Sequence, residues 1–271
     1  MSIMFFKVRS ISRAGGGNAV ASAAYVSRSR IVDVQTGRTH DFRRIPGLAH
    51  SEIMLPGGTS AATTAWASDR SRLWNAAEVA EGRRNSRVGR EYTVALPHEL
   101  PDDVRIGLAR ELAQRLADRH GVAVDIAVHR PGKGDPRNHH VHLLATTREL
   151  DDHGFTRKAT IERNTDDRRR LGLAPTAVEY RALRAAWASS ANDRLREAGL
   201  SERLEPRSRR TLELERQRVE PERENPDGGL SVAQRAVENW KRLKMNRDAG
   251  LETATRSQPA RRRDLDHGLD F

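Results

Sequence analysis

Between Val122 and His129, apolar and polar positions alternate. Val122, Val124, Ile126 and Val128 fall on one side, and Ala123, Asp125, Ala127 and His129 on the other. That period of two predicts a half-buried strand. A polar loop rich in glycine and proline follows, and then His140 and His142 share one face while Val141 and Leu143 take the other. Paired as an antiparallel hairpin, the two runs place His129 opposite His140 and His142, with cross-strand Cβ atoms about 4.5–5.5 Å apart. Ile3–Arg9 and Glu91–Pro97 also read as strands. In the second, Glu91, Thr93 and Ala95 oppose Tyr92, Val94 and Leu96.

Helical spacing predicts four further elements. Ala19–Arg28 is alanine-rich, entered from a flexible Gly15–Gly17 loop with Asn18 as its N-cap. Ala65–Glu81 carries a stripe of Trp66, Leu73, Trp74, Ala77 and Ala80. Pro101, Asp102 and Asp103 open a helix that buries Val104, Leu108, Leu112 and Leu116 and stops at Gly121. Ala177–Ala198 repeats the pattern with Val178, Leu183, Trp187 and Leu195. Ile31–Pro46 reads as polar and turn-like, Ile53–Pro56 as a short apolar touch, and Asp151–Arg170 as a charged connector. This order predicts an α+β fold, an antiparallel β-sheet with flanking helices and one open face bearing the histidines. Residues 1–205 form the expected domain, and 206–271 a charged extension. Within that extension Val232–Arg247 keeps a helical pattern and Arg256–Phe271 reads as a disordered basic tail.

Composition narrows the chemistry. The chain has no cysteine, which excludes disulfides and thiolate metal sites. The apolar run in MSIMFFKVRS is too short for a signal peptide, and no stretch approaches a membrane span. A cytoplasmic protein without membrane insertion is expected. Lys and Arg number 48 against 37 Asp and Glu, a net charge of +11, which points to a polyanionic partner. Arginine outnumbers lysine, suiting bidentate phosphate contacts. A GC-rich genome would explain that bias, but not the excess of positive charge.

Three converging imidazoles suit a metal ion with open positions for substrate oxygens. Nitrogen ligands favour zinc or another transition ion, whereas magnesium prefers oxygen, so a zinc hydrolase is a competing reading. The basic residues Arg130, Lys133 and Arg137 favour a phosphate substrate instead. His139 lies on the opposite strand face and is left out. Of the three tyrosines, Tyr92 and Tyr180 read as packing residues. Tyr25, among alanines and serines and followed by Arg28 and Arg30, reads either as packing or as a nucleophile. Glu91 is a candidate base or outer partner of the histidines, and Glu81 a weaker one. Asp135 and Asn138 are candidates to fix imidazole tautomers, although turn formation explains them equally well.

The segments GGGNAVASAAYVSRSR (Gly15–Arg30), RLWNAAEVAEGRRNSRVGREYTVALPHEL (Arg72–Leu100) and HRPGKGDPRNHHVHLLATTR (His129–Arg148) together resemble the MobA/MobL (MobQ-type) relaxases. These are conjugative DNA-nicking enzymes of the HUH endonuclease superfamily. The resemblance covers roughly residues 1–205, and it implies the relaxase palm as the fold. It implies that Tyr25 attacks a phosphodiester in single-stranded DNA at an origin of transfer, leaving a 5′-phosphotyrosyl link and a free 3′-OH. It further implies that His129, His140 and His142 hold a divalent cation, Mg²⁺ or Mn²⁺, with Zn²⁺ the alternative. Arg28, Arg30, Arg130, Lys133 and Arg137 are then DNA contacts. Accessory mobilisation proteins and a type IV coupling protein are expected partners, and unwinding is expected to fall to another protein. A rolling-circle initiator, a HUH transposase and a non-catalytic basic DNA-binding protein are the competing readings. Leu204–Ser208 matches the family poorly and receives no role.

Overall fold

The computed structural model describes residues 4–207, so the tail segments Val232–Arg247 and Arg256–Phe271 lie outside the described residues. Five strands form the main sheet: β1 (Phe6–Ser12), β4 (Leu48–Met54), β5 (Arg87–Ala95), β6 (Val124–His129) and β7 (His140–Ala145). Their order across the sheet is β1-β5-β7-β6-β4, and every neighbouring pair is antiparallel. Two short hairpins lie outside it, β2 (Arg30–Val32) with β3 (Thr39–Asp41), and β8 (Arg148–Asp151) with β9 (Gly154–Lys158). The helices are α1 (Ala19–Val26), α2 (Ala61–Ala67), α3 (Arg70–Ala80), α4 (Asp102–His120), α5 (Thr165–Arg170) and α6 (Thr176–Glu197).

Helices cover both faces of the sheet, and this corrects the expectation for β6. All six of its residues are buried. Val124, Ile126 and Val128 join Leu108, Leu112 and Leu116 of α4 and Trp187 and Leu195 of α6 in one core. Ala123 and Ala127, on the reverse face, join Ala19, Ala23 and Ala24 of α1 and Leu73 and Trp74 of α3 in a second. A central strand covered twice has no solvent face, so its polar residues must find partners inside. Asp125 does so, accepting from Arg70 Nε at 2.8 Å, Arg70 Nη2 at 2.9 Å and Trp74 Nε1 at 2.9 Å.

The stretch between Ile31 and Pro56 is more structured than its polarity suggests. It holds the β2–β3 hairpin and the edge strand β4, whose residues are all only partly buried. The predicted helix over 65–81 is two helices, because Asp69 caps α3 by accepting from the Arg72 amide. Asp151–Arg170 likewise holds the end of β8, all of β9 and α5. Leu204 is buried, and its backbone exchanges two hydrogen bonds with the Asn192 side chain, so Leu204 joins the core of α4 and α6. The glycine loop is not loose either. Gly16 takes φ 73°, and a Cβ at Gly17 would stand 2.8 Å from the Ser12 carbonyl oxygen.

Candidate active site

Helix α1 is anchored at both ends. At its start, Asn18 accepts from the Ala21 amide at 2.7 Å and donates to Asp33 at 2.9 Å. Glu78 of α3, 2% exposed, accepts from the Ala19 amide at 2.5 Å and holds Arg13 at 2.6 Å. A buried carboxylate at a helix N-terminus meets the free amides and the positive end of the helix dipole. Sequence reading missed Glu78; the signal was an acid four residues after Trp74, on the same buried stripe. Alanines on α1 and β6 let the helix backbone come close to the sheet, and the Val26 carbonyl accepts from His129 Nε2 at 2.8 Å.

Tyr25 immediately precedes Val26, and its side chain is 47% exposed. The ring meets Phe42 edge-on at 5.3 Å, and the Arg28 guanidinium lies 4.5 Å from the ring centre. Arg28 sits at φ 51°, the one described residue other than glycine with positive φ, and its Nη1 donates to the Tyr25 carbonyl at 2.8 Å. A left-handed arginine costs about 1–2 kcal/mol, a strain that folds the guanidinium back over the tyrosine.

The histidines cluster as the hairpin register requires. His129 pairs directly with His140, and His142 lies across from Ala127 on the same face. Ring centroids are 5.4 Å apart for His129–His140 and 5.2 Å for each of the other two pairs. Each ring spends one nitrogen on an oxygen: His129 Nε2 on the Val26 carbonyl, His140 Nδ1 on the Asn138 carbonyl at 2.9 Å, and His142 Nδ1 on Glu91 at 2.5 Å. The remaining ring nitrogens are His129 Nδ1 and Nε2 of His140 and His142, a set of three imidazole donors with outer partners. Burial, and then the charges of His142 and Arg28, push His129 down to about 4. Burial with the same two neighbours also lowers His140. Both rings are therefore neutral near pH 7 and chemically fit to bind a divalent cation. Among the described residues, as the side chains stand, no group of three or more His, Cys, Asp or Glu is placed to hold a metal ion.

The family model described as the MobA/MobL family matches residues 18–222. The chain belongs to the MobA/MobL family. The Mobilization protein MobL of Acidithiobacillus ferridurans is 30% identical over 95% of this chain and 71% of its own length. The Probable conjugal transfer protein TraA of Sinorhizobium fredii is 29% identical over 95% of this chain, which spans only 25% of that relative. A solved structure described as the molecular basis of vancomycin resistance transfer in Staphylococcus aureus superposes with a TM-score of 0.64. It is 30% identical and covers 76% of this chain and 100% of its own.

The other predicted residues of this MobA/MobL chain divide into two groups. Glu91 stands inside the site: it is 2% exposed and bonded to His142, and its second oxygen takes Arg9 Nε at 2.5 Å. Burial works to raise its pKa, but His142 and Arg9 outweigh it and the net shift is downward. That makes Glu91 a fixed carboxylate partner of the imidazole. Asn138 also reaches the site, through its main-chain carbonyl and not its side chain.

Glu81 does not. It is buried beside Thr147, Arg148 and Lys158, with oxygen–nitrogen distances of 2.8 Å and 2.7 Å to the two cations. That places it past the far end of β7, roughly 15 Å from His142 at ~3.3 Å per strand residue. Asp135 is not a partner of any imidazole; its carboxylate holds the Arg137 backbone and guanidinium. Arg130 pairs with Asp102 at 2.9 Å, Arg30 lies 4.0 Å from Asp41, and Lys133 is exposed. Tyr92 is 1% exposed in the core, and the Tyr180 hydroxyl is bonded to Arg90.

One consequence is an acid sensitivity. Burial also pushes His120, 6% exposed, down to about 4. Between an unfolded value near 6.5 and these folded values, the unfolded chain takes up protons that the folded chain refuses. Stability is thus fully present above about pH 6.5 and is lost as pH falls toward 4. Lowering pH from 7 to 5 is expected to cost about 1–2 kcal/mol per histidine, read from urea midpoints. His120→Asn should flatten part of the slope; an unchanged slope would contradict the assignment.

Proposed function

We propose that this chain is a relaxase, a metal-dependent transesterase that nicks one DNA strand at an origin of transfer through Tyr25 and later rejoins it. The observation that carries this reading is the tie between Tyr25 and the histidines. The carbonyl of the next residue, Val26, is hydrogen-bonded to His129, and the arginine stacked on the tyrosine ring also lowers the basicity of His129 and His140. Nucleophile and histidine cluster are thereby held by one short, anchored piece of chain. The relatives' names, mobilisation and conjugal transfer proteins, support the same reading.

In the proposed reaction the Tyr25 hydroxyl oxygen forms a bond to phosphorus as the P–O3′ bond breaks. The phenolic proton is lost and the departing O3′ gains one, so no water is consumed and the bond energy is kept for rejoining. His129, His140 and His142 would hold the divalent cation, which when bound draws charge from the scissile phosphate. Glu91 keeps the His142 lone pair turned to the cation side, and Arg9 fixes Glu91. Arg28 steadies the tyrosine and adds positive charge where the phosphate must come. Arg30, Arg130, Lys133 and Arg137 are assigned to the DNA backbone. Accessory mobilisation proteins and a coupling protein are the proposed partners, in the cytoplasm; no helix among the described residues is long and apolar enough to cross a membrane.

The test incubates the full chain with tiled single-stranded oligonucleotides from the DNA that carries its gene, plus Mn²⁺ or Mg²⁺. A covalent adduct on a denaturing gel, absent with EDTA, is expected for one oligonucleotide. No adduct with any tile would overturn the proposal. Glu91→Gln should lower cation affinity or adduct rate about 10–100-fold, because an amide nitrogen would then face either the imidazole N–H or Arg9. A variant with unchanged cation affinity and rate would remove Glu91 from the mechanism.

A further inference from the structure

A cavity of about 480 Å³ borders His140 and His142, with Phe5, Ala95 and Leu96 among its apolar walls and Thr93 and Asn138 beside the histidines. Its position in the sheet gives it a direction. Thr93 and Ala95 lie on β5, paired across from His142 and His140 of β7. Helix α1 attaches on the other side of β7, through His129 of β6. The His140–His142 pair therefore stands between the tyrosine-bearing helix and the cavity.

Displacement at phosphorus runs in line, with the attacking and leaving oxygens on opposite sides. If Tyr25 attacks from the α1 side, the nucleotide that carries the leaving O3′ is on the cavity side. The cavity lies within the ~300–1,000 Å³ range of pockets that enclose small molecules, and its wall suits a flat group with apolar faces and a polar edge. Phe5 supplies the stacking surface. Its carbonyl is pinned by the Ala95 amide at 2.9 Å, while the residue stays 46% exposed.

We infer that this cavity is a nucleobase pocket, taking the base of the nucleotide that departs with the free 3′-OH, with Phe5 as its stacking residue. The inference rests on the transesterase reading above and adds which side of the nick is read by base. It makes Phe5 a specificity-determining residue that touches substrate without touching the reacting atoms.

The experiment first maps the nick from the 3′ end of the released strand. Oligonucleotides with a single abasic residue on either side of that position are then compared in adduct formation by the full-length chain. The abasic residue at the 3′-OH nucleotide should raise the KM about tenfold, within the range of base–aromatic stacking, and the one at the 5′-phosphate nucleotide should not. Phe5→Ala should cause the same rise on the intact oligonucleotide and no further rise on the abasic one. Phe5→Trp, which keeps a stacking face, should restore affinity. An abasic effect on the 5′-phosphate side, or losses from Phe5→Ala and the abasic residue that simply multiply, would overturn the pocket while leaving the nicking reading intact. Absence of any adduct with the unmodified strand overturns both.

Discussion

Tyr25→Phe is expected to eliminate the covalent protein–DNA adduct, a fall of at least roughly 10³-fold, while leaving DNA affinity and stability close to the parent. In the proposed reaction the phenol oxygen is the atom that bonds to phosphorus, and phenylalanine has no substitute for it. Nothing else in the side chain changes. Phenylalanine keeps the edge contact with Phe42 and the face under Arg28, and position 25 is half exposed, so the fold loses little. The neighbouring structure also argues against a replacement nucleophile, since Tyr92 is enclosed in the core and the Tyr180 hydroxyl is held by Arg90. An adduct surviving in Tyr25→Phe, located by peptide mapping, would transfer the chemistry to another residue and undo the mechanism. Loss of DNA binding with the adduct would mean that the phenol recognises substrate and does not react with it.

The largest stability effect is expected at Asp125, on the strand that ends in His129. Its carboxylate is completely buried, holds Nε and Nη2 of Arg70 and takes the Trp74 indole N–H. Removing one member of a buried ion pair leaves the other charge without compensation, at a cost of about 3–5 kcal/mol. Asp125→Ala would also strand the indole donor of Trp74, which is 0% exposed. For a domain of this size each kcal/mol is worth about 2–4 °C, so the melting temperature should fall by roughly 6–20 °C. Adduct formation at low temperature should be weakened less than stability, because no atom of Asp125 reaches the imidazoles. A loss under about 1 kcal/mol in urea unfolding would show that Arg70 finds water instead, through its 21% exposed side chain.

Much of the site was legible without coordinates. Alternation across Val122–His129 and His140–Leu143 sets the hairpin register, and register alone brings three imidazoles together, because a one-residue slip would send them to opposite faces. Asn18 as the cap of α1 and Gly121 as the stop of α4 were equally readable, since each is a local matter of side-chain geometry or φ. Family resemblance and the comparisons agree on the fold, a sheet with helices against it. The edge strand β4 was not legible: LAHSEIM shows no clean period, because every residue in it is half covered. The β2–β3 and β8–β9 hairpins were missed for a related reason, three to five residues being too short to show periodicity.

Acidic residues divide in the same way. In the sequence Glu78, Glu81 and Glu91 are three similar acids, and only packing tells them apart. Glu78 faces the start of α1, Glu81 faces Arg148 and Lys158, and Glu91 faces His142. Local order along the chain decides which side chains share a strand face or a helix stripe, because those periods are properties of the backbone. Which acid meets which base depends on contacts between segments far apart in the chain. Glu91 and His142, 51 positions apart, are joined only when β5 and β7 lie side by side.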